Sequence, residues 1–356
     1  MIKASKKVLY IATKESDYLQ DLTYFGLCQV LGQSNVIDFH WNSKFHIPRK
    51  MYPRNLGYAG LGFDLSNYKK IKQQIFRSPD WSEISCVFVA AAKPDCIALY
   101  LKISKNIPAS TPVVFIDGGD FSAIGGDLLR LNCGDLLDSL KKARSFDFIF
   151  KREMLCDQKY AKNVAALPFS IRFDQMPDLK DEYKYDVSFW AVESDPIRTK
   201  ALAMLENEFD CRENLTIRNQ QFKKYARKGK FYLEELKRCK VVLNFRGVGW
   251  DTLRYWEVFG LSTFLISQKP NIVIPDEFIA GKELIYCKDD LSDLIELCEY
   301  YLKDTAAREK IANAGFLKAK ESHSTEARCN YLLKTLRSSL GLELPLRSSL
   351  GLELPE

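Results

Sequence analysis

The stretch KVVLNFRGVGWDTLRYWEVFG, residues 240–260, holds a strand, a turn and a helix in succession. KVVLNF (240–245) is a short β-branched apolar run of strand length, followed at once by Arg246, Gly247 and Gly249. DTLRYWEVFG (251–260) has apolar residues at helical spacing, with Asp251 or Thr252 to open the helix and Gly260 to end it. A strand that runs into a helix is half of a βαβ unit, so a parallel sheet flanked by helices is expected here.

The same alternation extends in both directions. Downstream lie apolar runs STFLIS (262–267) and ELIYC (283–287), then helical patterns near 290–303, 306–319 and 324–337. Upstream are YDVSFWAV (185–192), a helix over 196–209 opened by Ser194, Asp195 and Pro196, and a helical run YLEELKRC (232–239). Residues 173–184 are polar, charged and carry Pro177, which reads as a linker. Before it the pattern is already complete once: KVLYIAT (7–13), an amphipathic run from Tyr18 to Leu31, NVIDF (35–39), CVFVAAA (86–92), a helical run near 95–104, VVFID (113–117), FDFIF (146–150) and a short VAALPF.

The expected fold class is therefore α/β, with two Rossmann-like domains and a helical C-terminus. The domains are 1–172 and 185–335, and 336–356 is a tail in which LRSSLGLELP occurs twice in tandem. The length of 356 residues fits two domains of about 150 residues each. Residues 41–65 form a connection longer than the roughly 12–15 residues usual without secondary structure.

Composition narrows the function classes. With 46% hydrophobic and 28% charged residues the chain is an ordinary globular one, not a disordered one. No apolar run approaches the roughly 18 residues of a membrane span, and no signal-peptide pattern opens the chain, so a cytoplasmic protein is expected. The ten cysteines include no C-x-x-C pair, and the three histidines (His40, His46, His323) lie in no hydrolase or zincin motif. Reduced, mostly buried thiols are expected. The first βα turn, KESDYLQD after residue 13, has no glycine, and no G-x-x-x-x-G-K-[ST] occurs, so dinucleotide and P-loop chemistry are disfavoured.

Chemistry concentrates where the opening strand ends. Arg246 stands at the carboxyl end, where open α/β sheets bind ligands. Gly247 and Gly249 let backbone approach a ligand, and the helix opened by Asp251 or Thr252 offers amides and a dipole that favour an anion. Arg246 adds a planar charged fork suited to diphosphate, while Arg254 and Glu257 share a helix face. Singly these are ordinary turn glycines and an intrahelical ion pair. Together at a strand end they suit a nucleotide diphosphate. The net charge of +6 points the same way: residues 218–246 hold ten basic residues against Glu234 and Glu235, and the remainder is slightly acidic.

These residues, R-G-x-G-x-D-T-x-R-x-x-E followed by Gly260, resemble the GT-B glycosyltransferases of the "glycosyl transferases group 1" type, including its spore-maturation-protein-like branch. The segments FDFIFKRE (146–153), YDVSF with Ser194 and Arg198, and REKIANAG through the H-x-x-x-x-R of His323 and Arg328 are similar to that family in the same order, over roughly 110–335. The resemblance implies a GT-B-like pair of domains that transfers a sugar from a nucleotide diphosphate sugar, with the donor in the C-terminal domain and the acceptor in the N-terminal one. It implies donor contacts from Glu257 to ribose and from Arg246 or Arg254 to diphosphate, and no cofactor or metal. Retaining relatives carry E-x7-E, but here Gly249 stands eight before Glu257, which leaves inverting and retaining chemistry both open.

A base would come from FIDGGD (115–120), where Asp117 and Asp120 follow a strand, with Asp117 slightly preferred. The expected partners are the donor and a glycan, lipid-linked or protein acceptor, with contact to the inner membrane leaflet and no nucleic acid. Two alternatives are a non-catalytic GT-B-like nucleotide- or sugar-binding protein and a nucleic-acid-binding protein using the basic segment 218–246.

Overall fold

The computed structural model describes residues 7–46, 79–179, 182–188, 193–205, 208–209 and 229–344. Most of the long connection, residues 218–228 of the basic segment and the second copy of the tail decapeptide lie outside the described residues.

The N-terminal sheet is wholly parallel, in the order β2-β1-β3-β4-β5-β6. Its strands are β1 (Lys7–Ile11), β2 (Val36–Phe39), β3 (Ile84–Val89), β4 (Val113–Asp117), β5 (Phe148–Lys151) and β6 (Val164–Ala166). Between them run α1 (Tyr18–Leu31), α2 (Ser43–His46), α3 (Pro94–Ile103), α4 (Gly126–Arg130) and α5 (Gly134–Lys142). Strands with both faces covered must be apolar throughout, and β4 is buried at all five positions. The Asp17 side chain caps α1 by accepting from the Gln20 amide, and Gly32 ends it at φ 86°.

The second sheet is also parallel, in the order β10-β9-β8-β7, from β7 (Tyr185–Ser188), β8 (Cys239–Asn244), β9 (Leu265–Gln268) and β10 (Ile285–Cys287). Its helices are α6 (Pro196–Leu205), α7 (Gly229–Lys237), α8 (Leu253–Gly260), α9 (Leu294–Lys303), α10 (Thr305–Ser322) and α11 (Thr325–Leu340). Two of these elements start later than the pattern suggests, for a local reason. Ser262 (φ 52°) and Leu291 (φ 62°) turn through the left-handed region, which delays β9 to Leu265 and α9 to Leu294.

All eight residues of α8 are buried. The Gly260 at its end lies so close to the connection between domains that an added Cβ would sit 2.8 Å from Ile171 and 3.0 Å from Met176. The last helix does not stay with the second sheet. Ile171 and Ser324 form a parallel bridge, the Thr325 hydroxyl donates to the Ile171 carbonyl at 2.9 Å, and α11 then packs along α1. The tail expected from residue 336 onwards begins inside this helix, where Leu336 is fully buried. All described cysteines are free thiols, and most are buried.

The crossing of α1 and α11 is close enough to test. A Cβ on Gly26 would meet Cys329 Sγ at 2.4 Å and the Thr325 carbonyl at 2.6 Å, both at the core of the contact. Gly26→Ala should therefore cost about 1–3 kcal/mol in urea unfolding. Gly134→Ala, whose Cβ would meet only Leu129 at 3.6 Å, should be neutral or slightly stabilising.

Candidate active site

β8 ends at Asn244, and the seven residues after it divide into a partly exposed group around Arg246 and a buried group around Asp251. Arg246 belongs to the first. Its Nε is 3.1 Å from Asp195 Oδ2, and its guanidinium lies 4.3 Å above the Trp250 ring, with the side chain about one-third exposed. The Gly247 amide donates to the Gly249 carbonyl at 2.9 Å and closes a tight turn. Arg198, from α6, adds a second cation: its Nη2 donates to the Phe245 carbonyl at 3.0 Å and its Nη1 to Ser194 Oγ at 3.1 Å. A Cβ on Gly247 would come within 3.1 Å of that guanidinium and 3.3 Å of Ser194 Oγ, so glycine keeps the space beside both groups open.

Behind this group the ends of β8 and β9 are polar. Thr252 is the N-cap of α8, and its hydroxyl donates to Asn244 Oδ1 at 2.6 Å. Asn244 Nδ2 donates to Ser267 Oγ at 3.1 Å, and the Arg246 amide reaches Gln268 Oε1 at 3.4 Å. Of the two cap candidates, Thr252 takes the role because Asp251 is committed elsewhere.

Asp251 is buried between the domains. Its Oδ1 accepts from Trp256 Nε1 at 2.7 Å and its Oδ2 from the Phe169 amide at 2.8 Å. Burial pushes its pKa up to about 7, against the opposing pull of Arg152. Arg254 is also buried, with its Nε donating to the Tyr232 hydroxyl of α7 at 3.1 Å, so of the two arginines Arg246 is the one at the cleft. Glu257 lies one helical turn beyond Leu253 and is 2% exposed.

The two acidic candidates of the N-terminal domain separate sharply. Asp117 is fully buried: Lys151 Nζ, also fully buried, is 3.0 Å from its Oδ2, and the amides of Gly119 and Gly125 donate to the two oxygens at 3.2 and 2.8 Å. The enclosure of Asp117 favours Asp120 as the candidate base, since an acceptor hydroxyl has to reach the carboxylate that takes its proton. Asp120 is 41% exposed and paired with Arg152, and its carbonyl lies 3.3 Å from where a Cβ on Gly249 would stand. The acidic loop of one domain thus meets the glycine loop of the other.

Sequence reasoning assigned no role to Arg152 and Glu153, which make that meeting. Glu153 is 1% exposed and accepts the Trp250 and Asp251 amides at 2.9 Å each, while Arg152 Nη1 donates to the Asp251 carbonyl at 3.0 Å. Their signal was the charged triplet KRE that follows directly on a buried strand, at the strand end where ligands and partners gather.

The raised pKa of Asp251 links stability to pH. A carboxyl whose folded pKa is above its unfolded one stabilises the fold fully below about pH 4, and that contribution is lost as pH rises through about 7. Asp251→Asn cannot titrate, so the stability difference between wild type and Asp251→Asn, from urea unfolding at pH 5 and pH 8, should move against wild type at pH 8.

Residues 199–334 match a family model described as glycosyl transferase-like. No curated protein matches the sequence. Among solved structures the chain is similar to an alpha-glucosyltransferase in complex with UDP-glucose and DNA, at 11% identity and a TM-score of 0.53, covering 94% of this chain and 99% of that one. It is similar also to Anabaena HepE in complex with UDP and glucose, at 8% identity and a TM-score of 0.53, covering 94% of this chain and 100% of that one. The two parallel sheets and the helix that returns to α1 are thus those of the GT-B glycosyltransferase fold, and residues 199–334 match the glycosyl transferase-like family.

Proposed function

We propose that the chain is a glycosyltransferase that moves a hexose from a nucleotide diphosphate sugar to a hydroxyl-bearing acceptor. The observation that carries this reading is the set Arg246, Gly247, Arg198 and Ser194 at the end of β8, inside the segment that matches the glycosyl transferase-like family. Two guanidiniums beside an open glycine suit a leaving diphosphate. Solved structures of the same fold that hold UDP, UDP-glucose or UDP with glucose make a uridine diphosphate hexose the first donor to try.

In this reading Gly249, Asp251 and Thr252 shape the donor loop, and Arg254 and Glu257 stand behind it on α8, with Glu257 assigned to ribose. Asp120 takes the proton of the acceptor hydroxyl as the new C–O bond forms at the anomeric carbon and the bond to diphosphate breaks, with Arg246 and Arg198 taking up the leaving charge. No metal or cofactor has a part in that step. The acceptor is a glycan, lipid-linked or protein hydroxyl, handled by a cytoplasmic protein that touches the inner membrane leaflet. No helix among the described residues is long and apolar enough to cross a membrane.

Thermal-shift measurements with UDP, UDP-glucose, GDP and CMP test this. UDP or another diphosphate nucleotide should raise the melting temperature of wild type, and Arg246→Ala should abolish the shift; no shift with any nucleotide overturns the reading. Asp120→Asn should keep the shift and lose donor turnover by about 100-fold or more. Asp117→Asn should instead lower stability by about 3–5 kcal/mol, because it strands the buried Lys151 charge. A nucleic-acid-binding protein would show neither the nucleotide shift nor donor turnover, but rather salt-dependent binding of an oligonucleotide in fluorescence anisotropy.

A further inference from the structure

We infer that Glu153, which belongs to the acceptor-side domain, is the positioning residue of the donor loop, and that its carboxylate fills the place a side chain at position 249 would take. The functional half of this inference rests on the donor reading above. A Cβ on Gly249 would stand 2.5 Å from Glu153 Oε1 and 2.8 Å from its Cδ, so the loop and the carboxylate occupy one another's space and only glycine permits both. Both Glu153 oxygens are used, one on the Trp250 amide and one on the Asp251 amide, at 2.9 Å each. These are charge-assisted bonds from a buried anion to consecutive backbone donors, stronger than neutral ones.

The grip acts on the part of the loop that matters. The turn from Gly247 to Gly249 is closed by a single bond of 2.9 Å, and it faces Arg198 and Ser194. Held at Trp250 and Asp251, the turn has a fixed exit, and the Trp250 ring beneath the Arg246 guanidinium is fixed with it. Arg152 holds the following carbonyl of Asp251, so both strands of the hold come from the other domain. A donor loop shaped by the opposite domain binds donor well only while the domains are together. Glu153 touches no reacting atom in this arrangement; it acts through the loop.

The test moves the carboxylate across the cleft. Wild type, Glu153→Gln, Glu153→Gly and the double variant Glu153→Gly with Gly249→Glu are titrated with UDP, and amide hydrogen exchange is followed at Trp250 and Asp251. Glu153→Gln should weaken UDP binding about tenfold and speed exchange at those two amides while the protein stays folded with a melting temperature lowered by only a few degrees. Glu153→Gly should weaken binding further, and the double variant should recover to within about threefold of wild type. UDP affinity unchanged in Glu153→Gln, or a double variant no better than Glu153→Gly, overturns the inference. If wild type binds no nucleotide at all, the donor reading fails separately, and the exchange measurement still decides: unchanged protection of both amides in Glu153→Gln refutes the positioning role.

Discussion

One crossing of charge holds the cleft together. Arg152 and Glu153 leave the end of β5 and take hold of the backbone at Trp250 and Asp251, in the loop between β8 and α8 of the other domain. The residue before them, Lys151, turns the other way, into a fully buried pair with Asp117 at the end of the neighbouring strand β4. The Arg152 amide donates to the Asp117 carbonyl at 3.0 Å, which extends the ladder between these two strands past their last residues. Three consecutive charged residues thus fix the end of one sheet and the end of the loop that leads into α8 in the other domain. Desolvating so many charges is costly, and the arrangement is stable only because its carboxylates and guanidiniums satisfy one another and the nearby amides.

The inward side of α8 completes the junction. His323 lies against Trp256 and Phe278, with ring centroids 5.3 and 4.5 Å away, and its Nδ1 is 2.9 Å from Arg328. Burial and that guanidinium push its pKa down to about 3, so it serves there as a neutral aromatic packing piece. Trp256 in turn donates to Asp251, the residue the other domain holds. The H-x-x-x-x-R pattern near the chain's end therefore acts at the back of the helix that begins beside the candidate donor site.

Much of this was legible in the sequence, because a parallel sheet writes itself as apolar runs too short for helices. The run Tyr18–Leu31 and the strand Val113–Asp117 were located to the residue, since each is bounded by residues with a strong local preference: Asp17 as cap and Gly32 as stop, Pro112 before the strand and glycines after it. The place of Arg246 and Gly247 directly after the end of a strand was legible as well. Burial was not. Asp117 and Asp120 stand three residues apart with the same chemistry, and only the position of Lys151, more than thirty residues along, separates an enclosed ion pair from a cleft carboxylate. Asp251 likewise reads as a helix cap in one dimension and is a bolt between domains in three.

The return of α11 to α1 means that the first domain is interrupted rather than preceding the second. Cys329 Sγ contacts the Thr23 carbonyl across a separation of 306 residues. At roughly 5–20 residues per second of synthesis, the apolar side of α1 meets the helix that covers it on the order of 15–60 s after it emerges. The outer face of α1 must therefore wait uncovered while the second domain is made. Closure of the first domain thus depends on a helix made after the second, and the face of α1 that it covers stays open until residues 325–340 have been synthesised.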